Sequence, residues 1–183
     1  SKYRKYLILL FIFVTPTQVM KKEQMIKFDK LPATLDEMKK MCDHLDPYNI
    51  SAMTICAICT YTSDSEEGIK MLNYLRGPRP MNGVELAFIK DRFRDDCDYI
   101  PFSYFKGATP ANNYKPDVPY VLEILEDHTS NLEKDYIKLY VQSGGADSPR
   151  HIKLRKKGDG TWWLWEQYLL TKIKEPVNKD PWA

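Results

Sequence analysis

Five cations fall within eight residues, at Arg150, Lys153, Arg155, Lys156 and Lys157, with His151 among them. On a strand, alternate residues share a face about 7 Å apart. Lys153 and Arg155 then point the same way, and Lys157 extends the row. Such a row meets phosphate oxygens or the carboxylates of a partner through charge-assisted hydrogen bonds. The same run also reads as an edge strand shielded from association by its charge. Arg76 and Arg79, accompanied by Pro78 and Pro80, form a second cationic element, stiff enough to lose little entropy when a guanidinium engages a ligand. Tyr104, Phe105 and Tyr114, with Asn112 and Asn113, offer rings for stacking and amides for reading the edge of a planar ligand such as a nucleotide base. Their plainer reading is as cover for the core. The candidate ligand-binding residues are therefore Arg76, Arg79, Tyr104, Asn112, Asn113, Tyr114, Arg150, Lys153 and Arg155.

Other chemistries find less support. Cys56-x-x-Cys59 invites a redox or zinc reading. It sits among Ile50, Met53, Ile55 and Ile58, a helix apolar almost all round, and zinc would need a second pair of ligands. Cys42 and Cys97 stand alone, so the cysteines read as small core residues. His44 lies beside Asp43 and Asp46 at a helix end, and His128 in a polar turn. His151 lies in a basic neighbourhood that depresses its pKa. No serine or cysteine sits in a nucleophile-elbow pattern, and Gly144-Gly145 fits no P-loop spacing. The expectation is no catalytic residue, no metal and no cofactor.

The 183 residues contain 43% hydrophobic, 28% charged and 13% aromatic residues, a globular profile that excludes disorder and coiled coil as the main body. Net charge is +2 but uneven: residues 1–40 carry nine Lys/Arg against four Asp/Glu, leaving the remainder at −3. A body of that sign argues against specific nucleic-acid binding. Lys2, Arg4 and Lys5 precede an apolar run over residues 6–14, too short to span a bilayer of about 30 Å. The run reads as a packing arm or buried strand, or as a signal-like segment. The expected layout is an apolar N-terminal segment over residues 1–20 and one α+β domain over 21–183.

Within that domain, Thr34-Leu35-Asp36-Glu37 has the form of a capping box. Leu35, Met38, Met41, Cys42 and Leu45 recur on one helical face until Asp46-Pro47 ends it. Ser51 is positioned to cap a second helix running to about Tyr61. Ser65 starts a third with Gly77 as its stop, and Asn82 caps a fourth. Residues 95–119 hold four prolines and five aromatics and read as a large packed loop. Ile137, Leu139 and Val141 then alternate with polar residues, as do Ile152 and Leu154. Lys157-Gly158-Asp159-Gly160 is a hairpin turn leading into Trp162, Trp163 and Trp165. The expectation is an N-terminal helical half packed on a C-terminal antiparallel meander of three or four strands, with Trp163 or Trp165 in the core.

Tyr74-Leu75-Arg76-Gly77-Pro78-Arg79-Pro80, Phe102-Ser103-Tyr104-Phe105-Lys106-Gly107-Ala108-Thr109-Pro110, Ser143-Gly144-Gly145-Ala146-Asp147-Ser148-Pro149-Arg150, Gly160-Thr161-Trp162-Trp163-Leu164-Trp165-Glu166 and Asp180-Pro181-Trp182-Ala183 together resemble a small bacterial domain of unknown function. The likeness covers roughly residues 30–183 and carries no assigned chemistry with it. A looser likeness is to the NTF2-like architecture, in which helices precede a curved sheet. That is analogy of fold alone.

These observations point to a non-enzymatic binding module. It recognises a protein partner, as an immunity or anti-defence inhibitor does, or sequesters a small phosphorylated, nucleotide-like ligand. The alternative is an NTF2-like enzyme with acid and base groups in a cone-shaped pocket. Partners are expected to be a protein or a small anion. A membrane enters only if residues 6–14 act as signal or anchor, and the same run could pair copies of the chain as a homo-oligomer. The expected location is cytoplasmic, with export through the N-terminal segment as the alternative. A shared anion site requires the Arg76–Arg79 element and the Arg150–Lys157 strand to meet in space.

Overall fold

The structure, a computed structural model, describes residues 22–183. The apolar run over residues 6–14, with its readings as arm, strand or signal, lies outside the described residues.

Local signals place the helices. Thr34 caps α1 (Leu35–Met41), its hydroxyl accepting from Glu37 N–H at 3.2 Å. The Glu37 carboxylate reaches one residue further back than a capping box requires, to Ala33 N–H at 2.8 Å. Asp46-Pro47 opens α2 (Pro47–Ser63) rather than closing α1: Asp46 accepts from Tyr48 N–H at 2.9 Å. Pro47 occupies the first turn, where its fixed φ fits and its missing N–H is no loss. Ser51, expected as the cap, is buried inside α2. Asp64 ends α2 and caps α3 (Ser65–Arg76). This tight corner depends on Gly68, where an added Cβ would lie 2.5 Å from Tyr61 Cα. Gly77 stops α3 at φ 61°, a backbone conformation that glycine adopts freely. Asn82 caps α4 (Gly83–Arg92).

Among the described residues, five strands form the sheet: β1 (Lys22–Phe28), β2 (Tyr120–Glu126), β3 (Tyr136–Val141), β4 (Arg150–Lys156) and β5 (Trp162–Gln167). They lie in the order β1-β2-β3-β4-β5, and every neighbouring pair is antiparallel. The fold is α+β, as expected, but β1 adds a strand the meander was not expected to contain. It runs along β2 from Lys22 opposite Glu126 to Phe28 opposite Tyr120.

Strand alternation turns Ile124, Leu139, Ile152, Leu154 and Leu164 to one face, each buried. Against that face lies α2, with twelve buried residues, including Cys56 and Cys59. Burial raises both thiols well above their ordinary pKa. All four cysteines are free; Cys56 and Cys59 are core residues as expected, whereas Cys42 and Cys97 are only partly buried against the core. The loop between α4 and β2 packs onto the same core through Ile100, Tyr104 and Phe105, with short 3-10 turns at Pro101–Tyr104 and Pro110–Asn112. Among the described residues, no helix is long and apolar enough to cross a membrane.

One expectation about the core is corrected. Leu164, not Trp163 or Trp165, is the core residue of β5, at 3% exposure. Both tryptophans are half-buried on the opposite face of the sheet, where cations and neighbouring rings cover them. Leu164→Ala should therefore cost about 2–5 kcal/mol. Trp182→Ala, at a side chain 93% exposed, should stay within about 0.5 kcal/mol. Urea unfolding of the two variants checks the contrast.

Candidate functional site

The site is built around an irregularity in β5. Leu164 pairs with Leu154 and Glu166 with Lys153, so the register shifts and Trp165 has no direct partner on β4. An extra residue of this kind bends its strand, re-aims its side chain and leaves its own backbone groups to find other partners. Arg79 supplies one: its terminal nitrogen donates to the Trp165 carbonyl. The same guanidinium lies over the Trp165 ring, 3.9 Å from its centroid. From β4, Arg155 covers the ring too, at 4.8 Å. The two guanidinium groups can be no farther apart than the sum of those distances. Tyr136 packs edge-on to Trp165 at 5.7 Å and carries Lys153 over its own ring at 4.6 Å. Aromatic rings thus hold together cations that would otherwise repel.

The Arg79 segment is fixed from α3. Arg76 forms an ion pair with Glu85 at 2.5 Å, and its Nε donates to the Arg79 carbonyl at 2.9 Å. Burial first, then the Arg79 charge, lower the Arg76 pKa against the pull of Glu85. Between the two arginines, Gly77 lies against Trp163, where an added Cβ would sit 2.6 Å from ring carbon Cε3. His44 completes the support. Its ring stacks on Trp163 at 4.2 Å, and its carbonyl accepts from Trp162 N–H at 2.7 Å. Nδ1 lies 3.1 Å from the Trp162 carbonyl and Nε2 lies 3.2 Å from the Tyr74 hydroxyl. Because a carbonyl only accepts, Nδ1 carries a proton and donates it to the Trp162 carbonyl, which leaves Nε2 facing the Tyr74 hydroxyl.

The result is a cleft of about 590 Å³ on whose wall stand Arg76, Arg79, Arg155, Lys156, Lys157 and Trp165, together with the carboxylate of Asp135. Arg155 makes no ion pair among the described residues and is exposed. Stacking occupies the face of a guanidinium and leaves its N–H edges free for an anion.

The other candidate residues are placed elsewhere. Arg150 clamps the C-terminal segment, donating to the carbonyls of Thr171 at 2.6 Å and Lys172 at 2.9 Å and to the Tyr104 hydroxyl at 3.3 Å. Tyr104 is buried and donates to the Leu169 carbonyl; burial pushes its phenol up to about 12, against the pull of Arg150. Tyr114 donates to the Lys174 carbonyl at 2.5 Å and stacks on Tyr99. Asn112 closes its own turn by bonding to Thr109 and Gly107, and Asn113 accepts from Asn178 N–H. Lys153 donates to Glu133 at 2.7 Å, and that bond raises its pKa. Gly144 and Gly145 are filled against Ala108 and the Tyr114 hydroxyl. Of the residues singled out, Arg76, Arg79 and Arg155 converge, and the aromatic loop lies apart from them. Trp165, Trp163, Tyr136, Gly77 and His44 were not singled out for this site. The available signal was a tryptophan-rich strand paired with a cationic one across a tight hairpin. Among the described residues, no group of His, Cys, Asp and Glu could hold a metal.

A family model described as Domain of unknown function (DUF6935) matches residues 30–177. Neither a curated protein nor a solved structure matches the chain.

Two outcomes follow from this geometry. Gly77→Ala places a Cβ at positive φ and into Trp163, and should cost about 1–3 kcal/mol with a shift in tryptophan emission. His151, between Tyr140 and Tyr168 on the outer sheet face, is held below the usual 6.5, first by burial and then by the Lys138 charge. The unfolded chain therefore takes up this proton first as pH falls. Its stabilising contribution is complete above about pH 6.5 and lost toward the lower native value. Thermal melts should show the wild type losing more stability than His151→Gln between pH 7 and about pH 5.

Proposed function

The chain belongs to the family of that domain of unknown function, and from this premise we propose that it is a binding module for a small anion. The anion, a phosphate ester by charge, is held where Arg79 and Arg155 meet on Trp165. The observation that carries the reading is this pair of guanidinium groups stacked on one ring. Their faces are spent on the aromatic, and the N–H edges of Arg155 have no acidic partner among the described residues. Lys156 and Lys157 add charge on the same cleft, while Glu85 already balances Arg76. The site favours −2 over −1 ligands, because each added oxygen charge meets a further cation.

Binding rather than turnover is supported by what lines the cleft. Among the described residues, Asp135 is its one carboxylate, and no histidine, cysteine, serine or threonine lines its wall. General acid–base work falls most often to histidine or a carboxylate, and cations outnumber acids on this wall.

Tryptophan fluorescence during titration with inorganic pyrophosphate tests the reading. Emission should change saturably, with binding that weakens as salt rises. Arg155→Ala removes a charge-assisted contact worth about 1.5–3 kcal/mol, or roughly ten- to a hundredfold in affinity. Lys156→Ala should mainly flatten the salt dependence. Absence of saturable binding, or an Arg155→Ala protein that binds as the wild type does, overturns the proposal.

A further inference from the structure

A second cleft, of about 650 Å³, opens on the other side of Arg79 and shares Arg76, Arg79, Leu164 and Trp165 with the first. Its character is different. Leu164 and Leu170 are buried at its base, while α4 presents Val84, 79% exposed, and Phe88, 46% exposed. Resting on the anion reading above, we infer that the ligand is a single-chain amphiphile: a phosphate monoester whose head lies at Arg79 and Arg155 and whose alkyl body runs along α4.

Three features select this class. The first is continuity: the apolar cleft and the cationic cleft share the Arg79–Trp165 wall, so one molecule can occupy both. The second is charge. Three arginines line the apolar cleft, against Glu85 and Glu166. Glu85 is taken by Arg76, and Arg92, stacked on Phe88 at 4.7 Å, keeps the far end positive. An anionic amphiphile fits, and a cationic one does not. The third is size. From Glu85 to Arg92 the helix rises about 10 Å, the reach of a medium-length alkyl chain, and the volume lies in the range of small-ligand pockets.

A peptide strand is disfavoured by the state of β5. Both backbone groups of Trp162 are taken by His44, and the Trp165 carbonyl by Arg79, so main-chain pairing along this edge is blocked. A nucleotide base would need convergent edge partners, yet Gln167 already accepts from Leu169 N–H and the base of the cleft is aliphatic.

The test is calorimetry with butyl, hexyl and octyl phosphate, each below its micelle concentration, beside inorganic pyrophosphate. Each pair of added methylenes should tighten binding by about tenfold until the cleft is filled. Octyl glucoside, which lacks the charge, should bind far more weakly than octyl phosphate. Val84→Ser and Phe88→Ser, at exposed positions, should flatten the chain-length dependence and leave pyrophosphate binding unchanged. Affinity that does not vary with chain length, while pyrophosphate still binds, overturns the amphiphile and leaves the anion site standing. Failure of every phosphate to bind overturns both. Tighter binding to phosphatidic acid vesicles than to monomeric octyl phosphate overturns the single-chain ligand in favour of a lipid surface.

Discussion

Helix α2 has no polar face, and the rest of the molecule is arranged to cover it. From Tyr48 to Thr60 nearly every residue is buried, so water must be excluded on all sides. The sheet covers one side, α3 another and the Pro101–Tyr104 turn a third. Its hydroxyls are satisfied from within: Thr54 donates to the Ile50 carbonyl, and Thr60 to the carbonyls of Pro32 and Cys56. Burying such a helix supplies the apolar area that offsets the conformational entropy of ordering the chain. It also decides where chemistry can occur. The space between helices and sheet is filled with side chains, and the charged clefts lie instead at the β5 edge and on the sheet's other face.

At that edge, the contacts that stabilise the strand also build the cleft proposed to bind an anion. An edge strand exposes unpaired backbone groups that invite association. Here His44 and Arg79 take up backbone groups of Trp162 and Trp165. The irregular pairing that leaves the Trp165 carbonyl free is also what brings Arg79 onto its ring, so one arginine both seals the edge and lines the cleft. Arg155 reaches the same ring from β4 without an acidic partner. Part of the cationic surface is therefore structural, and part is left with hydrogen-bonding capacity to spare.

The legible parts of the sequence were those written in local chemistry. Caps at Thr34 and Asn82, the stop at Gly77 and the hairpin at Lys157-Gly158-Asp159-Gly160 act within a few residues, and each holds. Asp46-Pro47 misled because the same pair can end one helix or begin the next: proline breaks a helix interior yet suits its first turn. Strand β1 was illegible because it is mostly exposed, and its partner β2 lies far along the chain, so neither periodicity nor proximity marks it. Alternation along β5 places Trp162 with Leu164 on the core face and Trp163 with Trp165 on the other. The error lay in taking the larger rings for the core face. A tryptophan can bury its surface under guanidinium and ammonium groups as well as under leucine, and nothing in a period of two separates the cases.

The same physics explains why the arginine element met the basic strand while the aromatic loop did not join them. Phenol hydroxyls in a loop closed by Pro101, Pro110 and Pro116 sit near backbone carbonyls of the C-terminal segment, and Tyr104 and Tyr114 each bond one. Once those bonds form, leaving them unmade costs more than any gain from a transient ligand. The arginines face a different balance. A guanidinium has five donors, and neither the Arg79 bond to Trp165 nor the stacking of Arg155 exhausts them. Residues that saturate inside the fold become structure. Residues whose capacity exceeds what the fold can use keep donors for a ligand, and among the described residues Arg79 and Arg155 beside Trp165 keep them where the anion is proposed to bind.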